Sequence, residues 1–222
     1  MCALIAFDLD DTLYKERDYV ASGLRAVAHS ASRESGLPSE ELEELLLGAP
    51  DGHAAFDALE ARLRGAGVDY PVWRMVAEYR NHVPAISPDP EVEAVLAELK
   101  RRGHTLALIT DGNPVRQHAK VSALRLDRYF DTTNIIVSAD TGSDKTTPLP
   151  FAQAERLVRG QRRYYVGDNP AKDFHWPNLR GWHTVMLRDA DGLNIHPQHT
   201  GPLPAQYRAA TTIDNLHRLL DL

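Results

Sequence analysis

The run Ile5-Ala6-Phe7-Asp8-Leu9-Asp10-Asp11-Thr12 carries an apolar stretch into three closely spaced carboxylates. Such a group is electrostatically costly unless a cation or a proton shares the site. Period-two geometry points Asp8 and Asp10 the same way while the chain stays extended. In open α/β sheets, ligands bind beyond the carboxyl ends of the strands, and these acids fall at such an end. The bland alternative is an acidic turn in which Asp11 or Thr12 serves only as a cap.

Three more stretches hold residues of interest. Leu106-Ala107-Leu108-Ile109-Thr110 ends an apolar run on a hydroxyl, and Asp111-Gly112-Asn113 after it is strong turn chemistry. Lys145 opens the polar run Lys145-Thr146-Thr147-Pro148-Leu149-Pro150-Phe151, where an isolated lysine is ordinarily solvated. Tyr164-Tyr165-Val166-Gly167-Asp168 is followed by Asp173, a pattern that also reads as a turn and a helix N-cap.

The elements that must position these residues alternate. Strands are expected at Leu4–Leu9, Thr105–Thr110, Asn134–Ser138, Tyr164–Val166 and Thr184–Leu187, each nearly continuous in apolar character. Helices are expected at Pro90–Arg102, Val115–Leu124 and Pro150–Val158, with a last amphipathic helix at Ile213–Leu220. Alternation of this kind favours a parallel sheet covered by helices. Residues from about 15 to 85 break it with helical periodicity (Leu42, Leu45, Leu46, then Phe56, Leu59, Leu63) and no strand. That length exceeds an ordinary βαβ crossover and reads as an inserted helical domain. Pro84, Pro88 and Pro90 mark the return.

The four stretches, in this order, resemble the four motifs of the haloacid dehalogenase superfamily: Asp-x-Asp-x-Thr, a strand ending in Ser or Thr, a lysine, and Gly-Asp with a further acid. The resemblance covers residues 3–14 and 86–222, and reaches the insertion only through its location and helical character. It implies an α/β fold: a Rossmann-like parallel sheet core of three α/β/α layers, the first strand central, with a small α-helical cap. The core would be 1–14 and 86–222, and the cap 15–85.

The resemblance also implies roles. Asp8 would attack phosphorus and form an aspartyl-phosphate, while Asp10 serves as general acid and then base. Asp10 speaks for phosphatases over dehalogenases, which generally lack an acid there. Thr110, with the backbone amides of Asp111 and Gly112, would cradle phosphoryl oxygens, and Lys145 would add a fixed positive charge. Magnesium (Mg2+) would bind Asp8, Asp168 and the backbone carbonyl of Asp10, with Asp173 acting through water or pairing with Lys145. Thr146 stands where the family has proline after its lysine; Lys145 remains the candidate for that charge, with Lys120 as the second choice. The cap would close over the site and select substrate. Tyr14, Lys15, Arg17, Arg80 and His82 lie at its junctions, although the ordinary reading of each is a solvated surface residue.

The implied function is Mg2+-dependent hydrolysis of a small phosphate monoester, with a small phosphorylated metabolite as partner. A phosphomutase using the same intermediate is the neighbouring alternative, and a non-catalytic phospho-ligand-binding domain is another. A response-regulator receiver is a poor fit, given the long insertion and the Gly-Asp motif.

Composition narrows the remaining classes. A net charge of −6 speaks against a nucleic-acid binder that neutralises phosphates. The single cysteine, Cys2, rules out an intrachain disulfide and a cysteine zinc cage, which makes a reducing, cytoplasmic setting the default. No apolar stretch approaches the roughly 20 residues of a membrane span. No leader is expected ahead of the first strand. The ten histidines show no helical zinc spacing, and no Walker loop or Gly-x-Gly-x-x-Gly appears. His175-Trp176-Pro177 reads as packing at the site rim, and His196 and His199 as part of a surface loop through 197–204.

Overall fold

Strands made of uninterrupted apolar residues need cover on both faces, and β1 (Ala3–Phe7) is buried at every position. The computed structural model describes residues 2–196, 198, 201 and 204–221. His199 and most of the expected surface loop around it lie outside the described residues.

Among those residues β1 pairs in parallel with β2 (Thr105–Thr110) on one side and β4 (Arg162–Gly167) on the other. Beyond them lie β3 (Ile135–Val137), β5 (His183–Leu187) and β6 (Thr211–Ile213), giving the order β3-β2-β1-β4-β5-β6. The chain winds from β1 outward to β3, then returns to start β4 beside β1. The strand order therefore reverses between β1 and β4, where an open α/β sheet leaves a crevice for ligands.

The chain divides into two compact units, residues 1–17 with 87–222 and residues 18–86. The first holds the sheet and its flanking helices, an α/β Rossmann-like fold. The second holds most of α1 (Glu16–Ser35), then α2 (Ser39–Leu47), α3 (Gly52–Gly65) and α4 (Val72–Asn81), and no strand. Its core is Leu24, Val27, Leu42, Leu46, Phe56, Leu59, Leu63 and Met75, the apolar stripes of these helices turned inward.

In the first unit α5 (Pro90–Arg101) opens on Asp89, whose side chain accepts from the backbone N–H of Glu91, with proline in the first turn. Next come α6 (Pro114–Ala123), α7 (Leu149–Glu155) and the short α8 (His175–Leu179). Phe151 and Ala154 of α7 pack on Leu4, Ala6, Ala107, Ile109 and Tyr165, one face of the central strands. Phe7 on the opposite face meets Phe130 edge-on at 6.1 Å.

The expected last helix at Ile213–Leu220 is not formed. Ile213 instead closes β6, opposite Leu187 of β5, and a 3-10 turn covers Leu216–Asp221. Thr-Thr-Ile is too short to show period-two alternation, so β6 escapes a reading by pattern. Leu216 and Leu219 are both buried, and their spacing of three suits a helix with three residues per turn.

Candidate active site

The switch point gathers the acids. Asp8 follows β1 directly, and its backbone N–H donates to Val166 O of β4 at 2.8 Å, so the ladder runs one residue past the strand. Asp168 follows β4 directly. Neighbouring parallel strands thus end on carboxylates. One carboxylate oxygen each from Asp8, Asp168 and Asp173 lies within 4.8 Å of the others, and all three residues are buried.

Lys145 is threaded into this group. Its Nζ donates to Asp8 Oδ1 at 2.7 Å and to Asp173 Oδ1 at 2.6 Å, with the lysine itself buried. Asp173 turns its other oxygen to the backbone N–H groups of Asp168 (3.2 Å) and Asn169 (2.8 Å), and Tyr165 OH donates to Oδ1 at 3.3 Å. Gly167 makes that approach feasible, because a Cβ there would lie 2.5 Å from Asp173 Oδ2.

Three buried carboxylates face one ammonium here. Burial, reinforced by the charges of Asp8 and Asp173, pushes Asp168 up to about 9. Burial pushes Asp8 up to about 7, against the pull of Lys145. Desolvation works against the Lys145 ammonium, yet Asp173 and Asp8 outweigh it and hold it well above the usual lysine range. The set is all oxygen, anionic in excess and enclosed, which fits a hard divalent cation such as magnesium.

Asp10 belongs to a second group. Its Oδ1 accepts from Lys120 Nζ at 2.6 Å and from Tyr14 OH at 2.5 Å, and its Oδ2 from Gln117 Nε2 at 2.9 Å. Gln117 also donates to the hydroxyl of Thr110, which is wholly buried at the end of β2. Gln117 and Lys120 reach one target because residues three apart on a helix share a face. Gly112, at φ +133°, takes the turn from β2 into α6 through a conformation that side chains disfavour. The carboxylate of Asp111 accepts from Ser138 Oγ at 2.5 Å and from the Lys145 backbone N–H at 3.0 Å, and so braces the loop that carries Lys145.

Of the junction residues, Tyr14 is buried on Asp10 rather than solvated, because Asp11 at φ 58° curls the chain back. Lys15 donates to Asn194 Oδ1 at 2.7 Å. His82 lies against Tyr19, ring centroids 4.8 Å apart and tilted by 46°, inside the helical unit. Lys120 is fixed on Asp10, leaving Lys145 as the lysine on Asp8.

Residues 2–174 match the model of the haloacid dehalogenase-like hydrolases. The chain belongs to that family. Among curated relatives of this hydrolase, the glyceraldehyde 3-phosphate phosphatase of Methanopyrus kandleri is 29% identical, over 100% of this chain and 97% of its own. The phosphoserine phosphatase of Thermus thermophilus is 30% identical, over 83% and 88%. Among solved structures, a HAD-hydrolase of Bacillus subtilis bound to magnesium superposes with a TM-score of 0.65 at 16% identity, over 99% of this chain and 97% of that one. At that identity the likeness concerns the fold.

Sequence reasoning passed over Gln117, Asn194 and Gln198. The first was open to discovery, being three residues from Lys120 on a helix that follows Thr110. Neither of the other two lies in a helix or a strand, so no periodicity reports on its direction.

Proposed function

We propose that this hydrolase is a magnesium-dependent phosphatase of small, roughly three-carbon phosphate monoesters, working through a phosphorylated Asp8. The observation that supports it most is the pair of carboxylates with different surroundings on one strand end. Asp8 is buried on Lys145, whereas Asp10 sits among Lys120, Tyr14 and Gln117. Two carboxylates held apart in this way can divide the work of nucleophile and proton carrier.

In the first step a carboxylate oxygen of Asp8 bonds to phosphorus as the ester P–O bond breaks, and Asp10 gives its proton to the departing alkoxide. In the second, water attacks the same phosphorus, Asp10 takes its proton, and the Asp8–phosphorus linkage breaks to release inorganic phosphate. Lys145 and Thr110 neutralise and orient the phosphoryl oxygens throughout. Asp8, Asp168 and the carbonyl of Asp10 would hold the magnesium ion, which supplies positive charge to the phosphoryl oxygens. Asp173 keeps Lys145 and the turn at Asp168 in place. The helical unit, 18–86, is assigned to substrate selection as a cap. The named relatives act on glyceraldehyde 3-phosphate and phosphoserine, which supports a substrate of that size.

The test is a panel of phosphate monoesters, including glyceraldehyde 3-phosphate, phosphoserine and phosphoglycolate, assayed with magnesium and after EDTA. Turnover that needs magnesium and disappears in Asp8→Asn is expected. Full activity in EDTA rejects the metal assignment, and substantial activity of Asp8→Asn rejects the nucleophile.

A further inference from the structure

After β5, residues 189–196 and Gln198 are tied to the acidic centre by side chains that the mechanism does not use. Asn194 Nδ2 donates to Asp168 Oδ2 at 2.8 Å. Lys15 Nζ donates to the Asn194 carbonyl oxygen at 2.7 Å. Gln198 Nε2 donates to the backbone carbonyl of Asp168 at 2.8 Å and to that of Leu187 at 2.6 Å, and its Oε1 accepts from the Asp189 N–H at 3.0 Å. The Ile195 N–H donates to Asp11 Oδ2 at 2.9 Å, anchoring the stretch to the turn after β1. Asp189 closes its own turn by accepting from the N–H groups of Leu193 and Asn194.

We propose that Asn194, oriented by Lys15, is a positioning residue that sets Asp168 for magnesium binding. The inference rests on the magnesium reading above. Its physical basis is the choice of a neutral donor. Asp8 already carries the Lys145 ammonium, and an amide on Asp168 fixes one oxygen without bringing a second positive charge onto the carboxylates that would hold the cation. Lys15 spends its charge one bond away, on Asn194 and, at 3.5 Å, on Asp189. With Lys15 on its carbonyl oxygen, the Asn194 amide has one orientation in which both ends are satisfied: nitrogen toward Asp168. Among the described residues the other carboxylate oxygen of Asp168 accepts no hydrogen bond, which leaves it for the metal. A stretch serving packing alone would end all its bonds on the scaffold; this one, through Asn194, ends one on the Asp168 carboxylate itself.

The test titrates Mg2+ into EDTA-stripped wild type, Asn194→Ala and Lys15→Met, following the thermal midpoint. Loss of such a supporting bond weakens metal binding roughly 10–100-fold, so the Mg2+ titration of Asn194→Ala should shift to higher concentration by that factor. Lys15→Met should shift it the same way by less, because the amide is then free to turn. Metal-free midpoints should stay near that of wild type, and saturating Mg2+ should restore the variants. Unchanged Mg2+ affinity in Asn194→Ala overturns the inference, as does a lowered metal-free midpoint with an unmoved titration. If Asn194→Ala does not fold, unchanged affinity in Lys15→Met overturns it. A wild type indifferent to Mg2+ removes the magnesium reading, and this one with it.

Discussion

Replacing Asp173 by Asn probes the link between Lys145 and the turn at Asp168. Asp173 is fully buried and accepts from Lys145 Nζ and Tyr165 OH on one oxygen, and from two backbone N–H groups on the other. An asparagine has one accepting oxygen and a donating NH2, so one side of the residue must set donors against donors. Removing one partner of a buried ion pair costs about 3–5 kcal/mol. Lys145 keeps Asp8 at 2.7 Å, which places the loss near the lower end, about 3 kcal/mol. For a chain of this length, that corresponds to a fall in Tm of roughly 6–12 °C. A second effect opposes it without metal: Asp173 is one of the charges that push Asp168 up, so its removal relieves repulsion. The fall should therefore be larger with Mg2+ than in EDTA. Thermal unfolding under both conditions, with turnover measured alongside, gives the answer, and kcat should drop roughly 10–100-fold. A Tm within about 1 °C of wild type under both conditions would show that Asp173 does not hold the cluster together.

Two further outcomes concern the same cluster. In EDTA the protein should lose stability as pH rises. Asp8 and Asp168 are raised from 3.8 to about 7 and about 9, so the folded state holds protons that the unfolded chain releases. Their contribution is complete below the unfolded value and is lost as pH climbs through the folded ones, a window from about 4 to 9. Added Mg2+ should consequently raise Tm more at pH 8 than at pH 5, as thermal scans across that range will show; an Mg2+ effect independent of pH contradicts this. Gly167→Ala should destabilise by about 1–3 kcal/mol and weaken Mg2+ binding, since the new methyl meets Asp173 Oδ2 at 2.5 Å. Denaturant unfolding with an Mg2+ titration reads both, and wild-type values in each contradict the close approach.

The sheet was legible because its strands are apolar from end to end. β2 occupies Thr105–Thr110, as its pattern indicates, and β1 and β4 run into the acids that their sequences place next. Asp8 and Asp168 were legible as partners through the family resemblance; the sheet order that sets β1 beside β4 leaves no mark in the strands themselves. The surroundings of Asp10 were less so. Tyr14 looks like a surface tyrosine until the left-handed turn at Asp11 folds it back, and a lone positive φ at a non-glycine leaves little trace in sequence. Gln117 is marked only by its spacing from Lys120. Asn194 and Gln198 carry no pattern, because their direction is set by tertiary bonds to Asp168 and, for Gln198, also to Leu187. β6 was masked for a different reason: three residues cannot show a period, and the leucines after it imitate an α-helix.

The covalent role of Asp8 is open to chemical trapping. Enzyme turning over a phosphate monoester with Mg2+ is quenched into hydroxylamine, which attacks acyl phosphates, and the peptide carrying Asp8 is examined by mass spectrometry. An aspartyl hydroxamate at Asp8, absent without substrate and absent in Asp8→Asn, is the expected result. Sustained turnover with Asp8 unmodified, or a hydroxamate on Asp10 instead, overturns the assignment of the nucleophile.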